Sequence, residues 1–157
     1  MVTVTLLAVG KLKEKHYIQA CDEYLKRLRA FCSVTVTELP ERPADTPAEI
    51  SKGLAAEAEL IEKAIPKGAF FIVMTPEGTM LSSEGLAEKL QALNVGGESR
   101  ICLLIGGSNG IDERIKRRAD LKLSMSKMTF PHHLARVMVL EQVYRAFSIL
   151  NHSRYHK

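Results

Sequence analysis

Three short bends and a basic tail hold the residue types that could do chemistry in this chain. The apolar run Leu103-Leu104-Ile105 breaks into Gly106-Gly107-Ser108-Asn109-Gly110. A second run, Leu121 to Leu123, leads into Ser124-Met125-Ser126-Lys127-Met128-Thr129-Phe130-Pro131-His132. A third bend, Met74-Thr75-Pro76-Glu77-Gly78, ends the apolar stretch that starts at Phe70. Glycines and small polar residues at a strand end leave backbone amides and carbonyls open to a ligand. The glycine bend misses the dinucleotide pattern G-x-G-x-x-G, because Ser108 stands where the second glycine falls. No Gly-Lys-Ser/Thr follows to make a P-loop. On its glycines alone it reads equally as a tight turn or as a place where an adenosine-type ligand approaches the backbone. The Thr75-Pro76 bend alone reads as a loop, but a parallel sheet would set all three bends along one edge. Methionines spaced as Met125 and Met128 are usually core filler. Here they sit with two small hydroxyls and Phe130 in a stretch that is neither helix nor strand, which suits the face of an adenine ring or a thioether.

Four of the five histidines (His132, His133, His152, His156) fall in the last 26 residues, together with Arg136, Arg145, Arg154 and Lys157. Adjacent His132 and His133 diverge on a helix, and neither an i, i+4 His pair nor a nearby Cys completes a ligand set, so a metal is not expected. The tail reads either as a solvated basic terminus or as a contact for phosphates and a base, with Tyr155 available for stacking. Between His132 and Leu150, apolar residues cover more than one stripe of the predicted helix. One small sheet covers one side, so a second subunit is expected on the other. Arg136 and Arg145, nine residues apart, point to opposite sides. Arg145 could also do no more than pair with Glu141 at i, i+4 spacing.

The elements that must position these groups alternate along the chain. Strands are predicted at Val2 to Val9, Ser33 to Leu39, Phe70 to Met74, Ile101 to Ile105 and Leu121 to Met125. Helical periodicity covers Glu14 to Arg29, Ile50 to Ile65, the stretch after Ser82 or Ser83, a short segment capped by Asp112, and His132 to Leu150. Three prolines between Pro40 and Pro47 mark an irregular loop. The central strands are continuous apolar runs, which argues for an α/β parallel sheet covered on both faces. With 157 residues, 46% hydrophobic and 25% charged, and a net charge of +4, the chain fits one domain spanning 1–157 and is too apolar for disorder. Cys21, Cys32 and Cys102 form no C-x-x-C pair and are read as reduced core thiols of a cytoplasmic protein. No secretory leader or membrane-spanning stretch is apparent.

Taken jointly, the motifs resemble the RlmH (YbeA-type) family of ribosomal RNA methyltransferases in the SPOUT superfamily. The matching pieces are Leu7-Ala8-Val9-Gly10-Lys11, Leu104 to Gly107, Leu123 to His132, Arg136-Val137, Glu141 to Ala146, and Tyr155-His156. The resemblance implies a parallel-sheet SPOUT fold with a C-terminal trefoil knot, which general topology rules would not suggest. It implies bent S-adenosylmethionine held by Met74, Gly106, Gly107, Met125, Ser126, Lys127, Met128, Thr129 and Phe130. It also implies a homodimer with composite sites, acting on ring nitrogen 3 of a pseudouridine in helix 69 of 23S ribosomal RNA within the ribosome.

That ring nitrogen is a poor nucleophile until its proton leaves, so cations near the flanking carbonyls and a proton acceptor are needed. Arg145 and Arg136 are the candidates for stabilising the anion or anchoring phosphate. His132 or His156 is the candidate acceptor, and Tyr155 and His156 are expected at the substrate. Alternatives are a knotted enzyme acting on transfer RNA or another ribosomal position, and a non-catalytic RNA-binding assembly module.

Overall fold

A computed structural model describes residues 1–157, and all five strands join one sheet. The elements in chain order are β1 (Thr3–Val9), α1 (Lys15–Leu28), β2 (Ser33–Leu39), α2 (Pro47–Ala64), β3 (Phe70–Met80), α3 (Ser83–Val95), β4 (Arg100–Ile105), α4 (Glu113–Arg118), β5 (Leu121–Ser124) and α5 (His132–Leu150). The strand order is β2-β1-β4-β3-β5, and every pairing is parallel. Successive side chains of a strand face opposite sides, and here both sides are buried. Val4 and Leu6 of β1, Ile72 of β3, and Ile101, Leu103 and Ile105 of β4 pack with α1, α3 and α5. Their neighbours Leu7, Val9, Phe71, Val73, Cys102 and Leu104 pack with Ala58 and Ile61 of α2 and Ile115 of α4. The continuous apolar runs of the sequence are thus two interleaved core faces, as a helix-covered parallel sheet requires.

Local chemistry explains the element ends. Thr46 and Glu49 form a reciprocal capping box at α2 with Pro47 in the first turn, so this helix starts three residues before the first apolar position of its pattern. Ser82 Oγ accepts from Gly85 N at 2.9 Å at the head of α3, and Asp112 Oδ1 accepts from Arg114 N at 2.9 Å at α4. Pro131 lies one residue outside α5 and caps it. All three cysteines are free and buried, and burial raises the Cys32 thiol to about 11 and that of Cys102 to about 12. No helix is long and apolar enough to cross a membrane.

The structure corrects the sequence expectation in one place that matters. β3 does not end at Met74. It bulges and then rejoins β5, with both Met74 and Thr79 opposite Leu123. Gly78 makes this return possible, because a Cβ there would lie 2.7 Å from Leu123 N and from the Lys122 carbonyl carbon. Those are backbone atoms, which cannot step aside as a side-chain end can. Gly78→Ala is therefore expected to lower the unfolding free energy by about 1–3 kcal/mol, as overpacking of a tight contact does. Urea denaturation of the two proteins measures this.

Candidate functional site

At the sheet edge where β3, β4 and β5 end, the three bends enclose one cleft of about 670 Å³, within the range of small-ligand sites. The β3 bulge contributes Met74, Thr75 and Pro76. The β4 turn contributes Gly106, Gly107 and Ser108, and the β5 exit contributes Ser124 to Ser126 and Met128 to Pro131. His132 and Ala135 from the first turn of α5 close one end. Of the positions expected to hold a cofactor, Met74, Gly106, Gly107, Met125, Ser126, Met128, Thr129 and Phe130 all line this cleft, and Lys127 does not. The Lys127 side chain is exposed.

Each bend is held by its own hydrogen bonds. The Thr75 hydroxyl donates to Glu77 Oε2, and Lys116 Nζ donates to Glu77 Oε1 at 2.6 Å. The lysine contact, then the threonine one, holds the Glu77 carboxyl down to about 2. The β5 exit is folded on itself, with Ser124 Oγ donating to the Ser126 carbonyl at 3.0 Å and Met128 N donating to Ser126 Oγ at 3.0 Å. The paired glycines are explained by close packing. A Cβ on Gly106 would lie 2.5 Å from Ile111 Cγ1, and one on Gly107 would lie 2.5 Å from Glu41 Oε1. Glu41 belongs to the proline-rich loop, and its Oε1 accepts from Ser108 N at 2.8 Å and Ser108 Oγ at 2.6 Å. Burial works to raise this carboxyl, but the Ser108 bonds outweigh it and leave it lowered.

His132 sits at a junction. It lines the first cleft and also a second one of about 940 Å³, formed by the residues after β1 and the loop after β2. The second cleft carries Lys11, Lys13, Arg42 and His133 alongside the acids Glu38, Glu41 and Asp45. Burial, and next the neighbouring His133, lowers the pKa of His132 against the opposing pull of Glu41. The imidazole is therefore neutral, and able to accept a proton, at neutral pH.

The two arginines of α5 part company, and Arg136, expected at the substrate, lies away from both clefts. Arg136 is 4% exposed and lines neither cleft. Its Nη1 bonds Glu38 Oε2 at 2.7 Å, and its Nη2 donates to the Gly10 carbonyl at 3.1 Å. Glu38 Oε2 also accepts from Leu12 N at 2.7 Å. Two of its nitrogens tie the ends of β1 and β2 to α5, and its burial keeps the guanidinium away from both clefts. Arg145 lies at the other end of the helix. It pairs with Glu141 at 2.8 Å, reaches His156 Nδ1 at 3.2 Å and stands 4.7 Å from the Tyr155 ring centre. Tyr155 Oη donates to Glu141 Oε2 at 2.8 Å, and His156 Nε2 lies 2.7 Å from Glu84 Oε1. Arg145, Tyr155 and His156 are thus brought together as one cluster. Thirteen residues separate Arg145 from His132, about 20 Å along a helix.

Sequence reasoning missed Lys116, the only lysine or arginine on the first cleft. The available signal was its phase: it follows wholly buried Ile115, whereas Arg117 and Arg118 beside it are exposed.

The sequence matches the family model described as "Predicted SPOUT methyltransferase" over residues 2–156. The ribosomal RNA large subunit methyltransferase H of Moorella thermoacetica is 42% identical over 160 residues, covering 100% of both chains. The protein of the same name from Alkaliphilus oremlandii is 43% identical over 159 residues, covering 99% of this chain and 100% of that one. Among solved structures, a "probable methylase family protein" from Haemophilus influenzae superposes with a TM-score of 0.55 at 14% identity. It covers 99% of this chain and 70% of that one, a likeness of fold.

Two predictions follow from the charge placement. Arg136→Met leaves the partly exposed Glu38 carboxylate without its cation and is expected to cost about 1–2 kcal/mol in chemical denaturation. Glu77 should contribute stability above its ordinary value of 4.5, an increment lost as the pH falls towards 2. The stability difference between wild type and Glu77→Gln should therefore be constant above about pH 5.5 and shrink steadily below it. Denaturation curves across that range measure it.

Proposed function

The chain belongs to the SPOUT methyltransferase family, and from that premise we propose that it methylates ribosomal RNA with S-adenosylmethionine. The target on this reading is ring nitrogen 3 of a pseudouridine in helix 69 of 23S ribosomal RNA, modified in assembled cytoplasmic ribosomes by a homodimer. The observation that carries the reading is the convergence of three bends, 30 and 20 residues apart in sequence, on a single cleft. The relatives of similar length and 42–43% identity are named as large-subunit ribosomal RNA methyltransferases, which favours the same substrate here. A trefoil knot built from the last strands and α5 belongs to this reading.

The cleft suits a nucleoside donor. Met74, Met125, Phe130 and Ile105 offer apolar and polarisable surface for a base. The folded-back β5 exit and the glycine turn place main-chain groups beside it. When bound, the donor supplies an electrophilic methyl on sulfur, and the protein's share is placement and proton removal. His132, neutral and at the mouth shared with the second cleft, takes the proton of the ring nitrogen. The second cleft, with Lys11, Lys13 and Arg42, receives the acceptor nucleotide and its phosphates.

Arg145 stabilises the charge that develops on the base carbonyls, with Tyr155 and His156 beside it at the substrate. The roughly 20 Å between Arg145 and His132 on one helix means that this role is met at a partner's cleft. Leu134, Val137, Met138 and Leu150, half-buried on α5, supply apolar surface for such a pairing.

Transfer of labelled methyl to purified ribosomes, followed by mapping of the modified nucleotide, tests the reading. Label in helix 69 is expected, with far less on transfer RNA or a free stem-loop; preferential labelling of transfer RNA overturns it. His132→Ala and Arg145→Ala should each bind donor yet lose turnover. If the sites are composite, equal mixing of the two inactive variants should restore about a quarter of wild-type activity, because half the dimers then carry one intact site.

A further inference from the structure

We propose that Lys116 binds the α-carboxylate of the methyl donor and so fixes which end of the donor points along β3 and α4. This rests on the donor reading above and adds a residue to it. The lining of the first cleft contains no aspartate or glutamate, and Lys116 is its only lysine or arginine. The donor carries one anionic group, the carboxylate of its amino-acid tail, and the cleft therefore has one place for it. The apolar wall of Met74, Met125 and Phe130 takes the opposite, nucleoside end.

The position of Lys116 is unusual for a lysine that serves only as a surface staple. Its side chain is 16% exposed, whereas its partners Glu77 and Glu113 are 52% and 73% exposed. The ion pair could be made from outside, and yet the lysine is set into the wall. Its helix is firmly seated: Ile115 is wholly buried, Arg114 Nη2 donates to the Ala55 carbonyl at 3.1 Å, and Arg114 Nε lies 3.4 Å from Glu62. An ammonium has three N–H donors. Glu77 takes one at 2.6 Å and Glu113 a second at 3.4 Å, which leaves a third for a ligand carboxylate. Glu77 also receives the Thr75 hydroxyl and so staples α4 to the β3 bulge.

Calorimetric titration of the intact protein with S-adenosylmethionine, S-adenosylhomocysteine and 5′-methylthioadenosine tests the assignment, because the last ligand lacks the amino-acid tail. Lys116→Met should weaken the first two about tenfold or more, the worth of a charge-assisted hydrogen bond, and leave methylthioadenosine within about twofold. Lys116→Arg should recover part of the loss. Glu77→Gln, which removes the staple and keeps the ammonium, should change all three little, and Lys116→Gln gives the same contrast between ligands if Lys116→Met proves unstable. Equal weakening of all three ligands by Lys116→Met, no weakening, or a Glu77→Gln profile matching that of Lys116→Met each overturns the proposal. A wild-type protein that binds none of the three overturns the donor reading itself, and the two failures are therefore distinct.

Discussion

The close approach of Gly78 to the backbone of β5 is the constraint on which the cleft depends. At a distance where a Cβ would overlap main-chain atoms, only glycine lets β3 return to Leu123 after leaving it. The return forces the intervening residues out of the sheet as a bulge, and that bulge carries Thr75 and Pro76 into the cleft wall. A straight β3 ending at Met74 would leave the turn after β4 and the exit of β5 without a third side. The cleft is therefore a consequence of strand geometry, and its hydrogen bonds then hold a shape the backbone has already imposed.

The proline-rich loop before α2 does a comparable job from the other direction. Glu41 reaches across to Ser108, and Glu57, itself buried, accepts from Arg42 N at 2.9 Å. The loop is pinned at both residues and lines the second cleft, which shares Ser108 and His132 with the first. Burial, the leading influence on Glu57, raises its carboxyl above the ordinary range. The same influence on Glu41 is outweighed by two Ser108 donors. Hydrogen bonding thus sends these two neighbouring acids in opposite directions, and Glu41 is the one whose charge is felt at His132.

Much of this architecture was legible in the sequence because its signals were local. Unbroken apolar runs gave a parallel sheet, and Ser82, Asp112 and the run from His132 marked helix ends to within a residue. The bends were visible because Gly, Pro and small polar residues break those runs. What could not be read was set by contacts between distant residues. The second half of β3 has no apolar pattern, since Pro76, Glu77 and Gly78 form a strand only by pairing with β5. Arg136 looked like an RNA contact by type and phase. Its burial depends on Glu38 and Gly10, which lie 98 and 126 residues away in the chain. Lys116 was hidden in a basic triplet whose members differ only in which way a short helix turns them.

The last helix joins these observations. At its first turn His132 lies where both clefts meet, a turn later Arg136 is locked to β1 and β2, and near its end Arg145 is held in a ring of Glu141, Tyr155 and His156. Arg136, buried on the helix, ties it to the ends of β1 and β2 through Glu38 and the Gly10 carbonyl. A rigid rod of about 20 Å between two sets of polar groups can serve one reaction centre only if the centre is built from two such rods. On the proposed function, in which both groups act on one nucleotide, that distance is the physical reason for a shared site. The half-buried apolar residues along the rod are the surface on which a second copy would meet it.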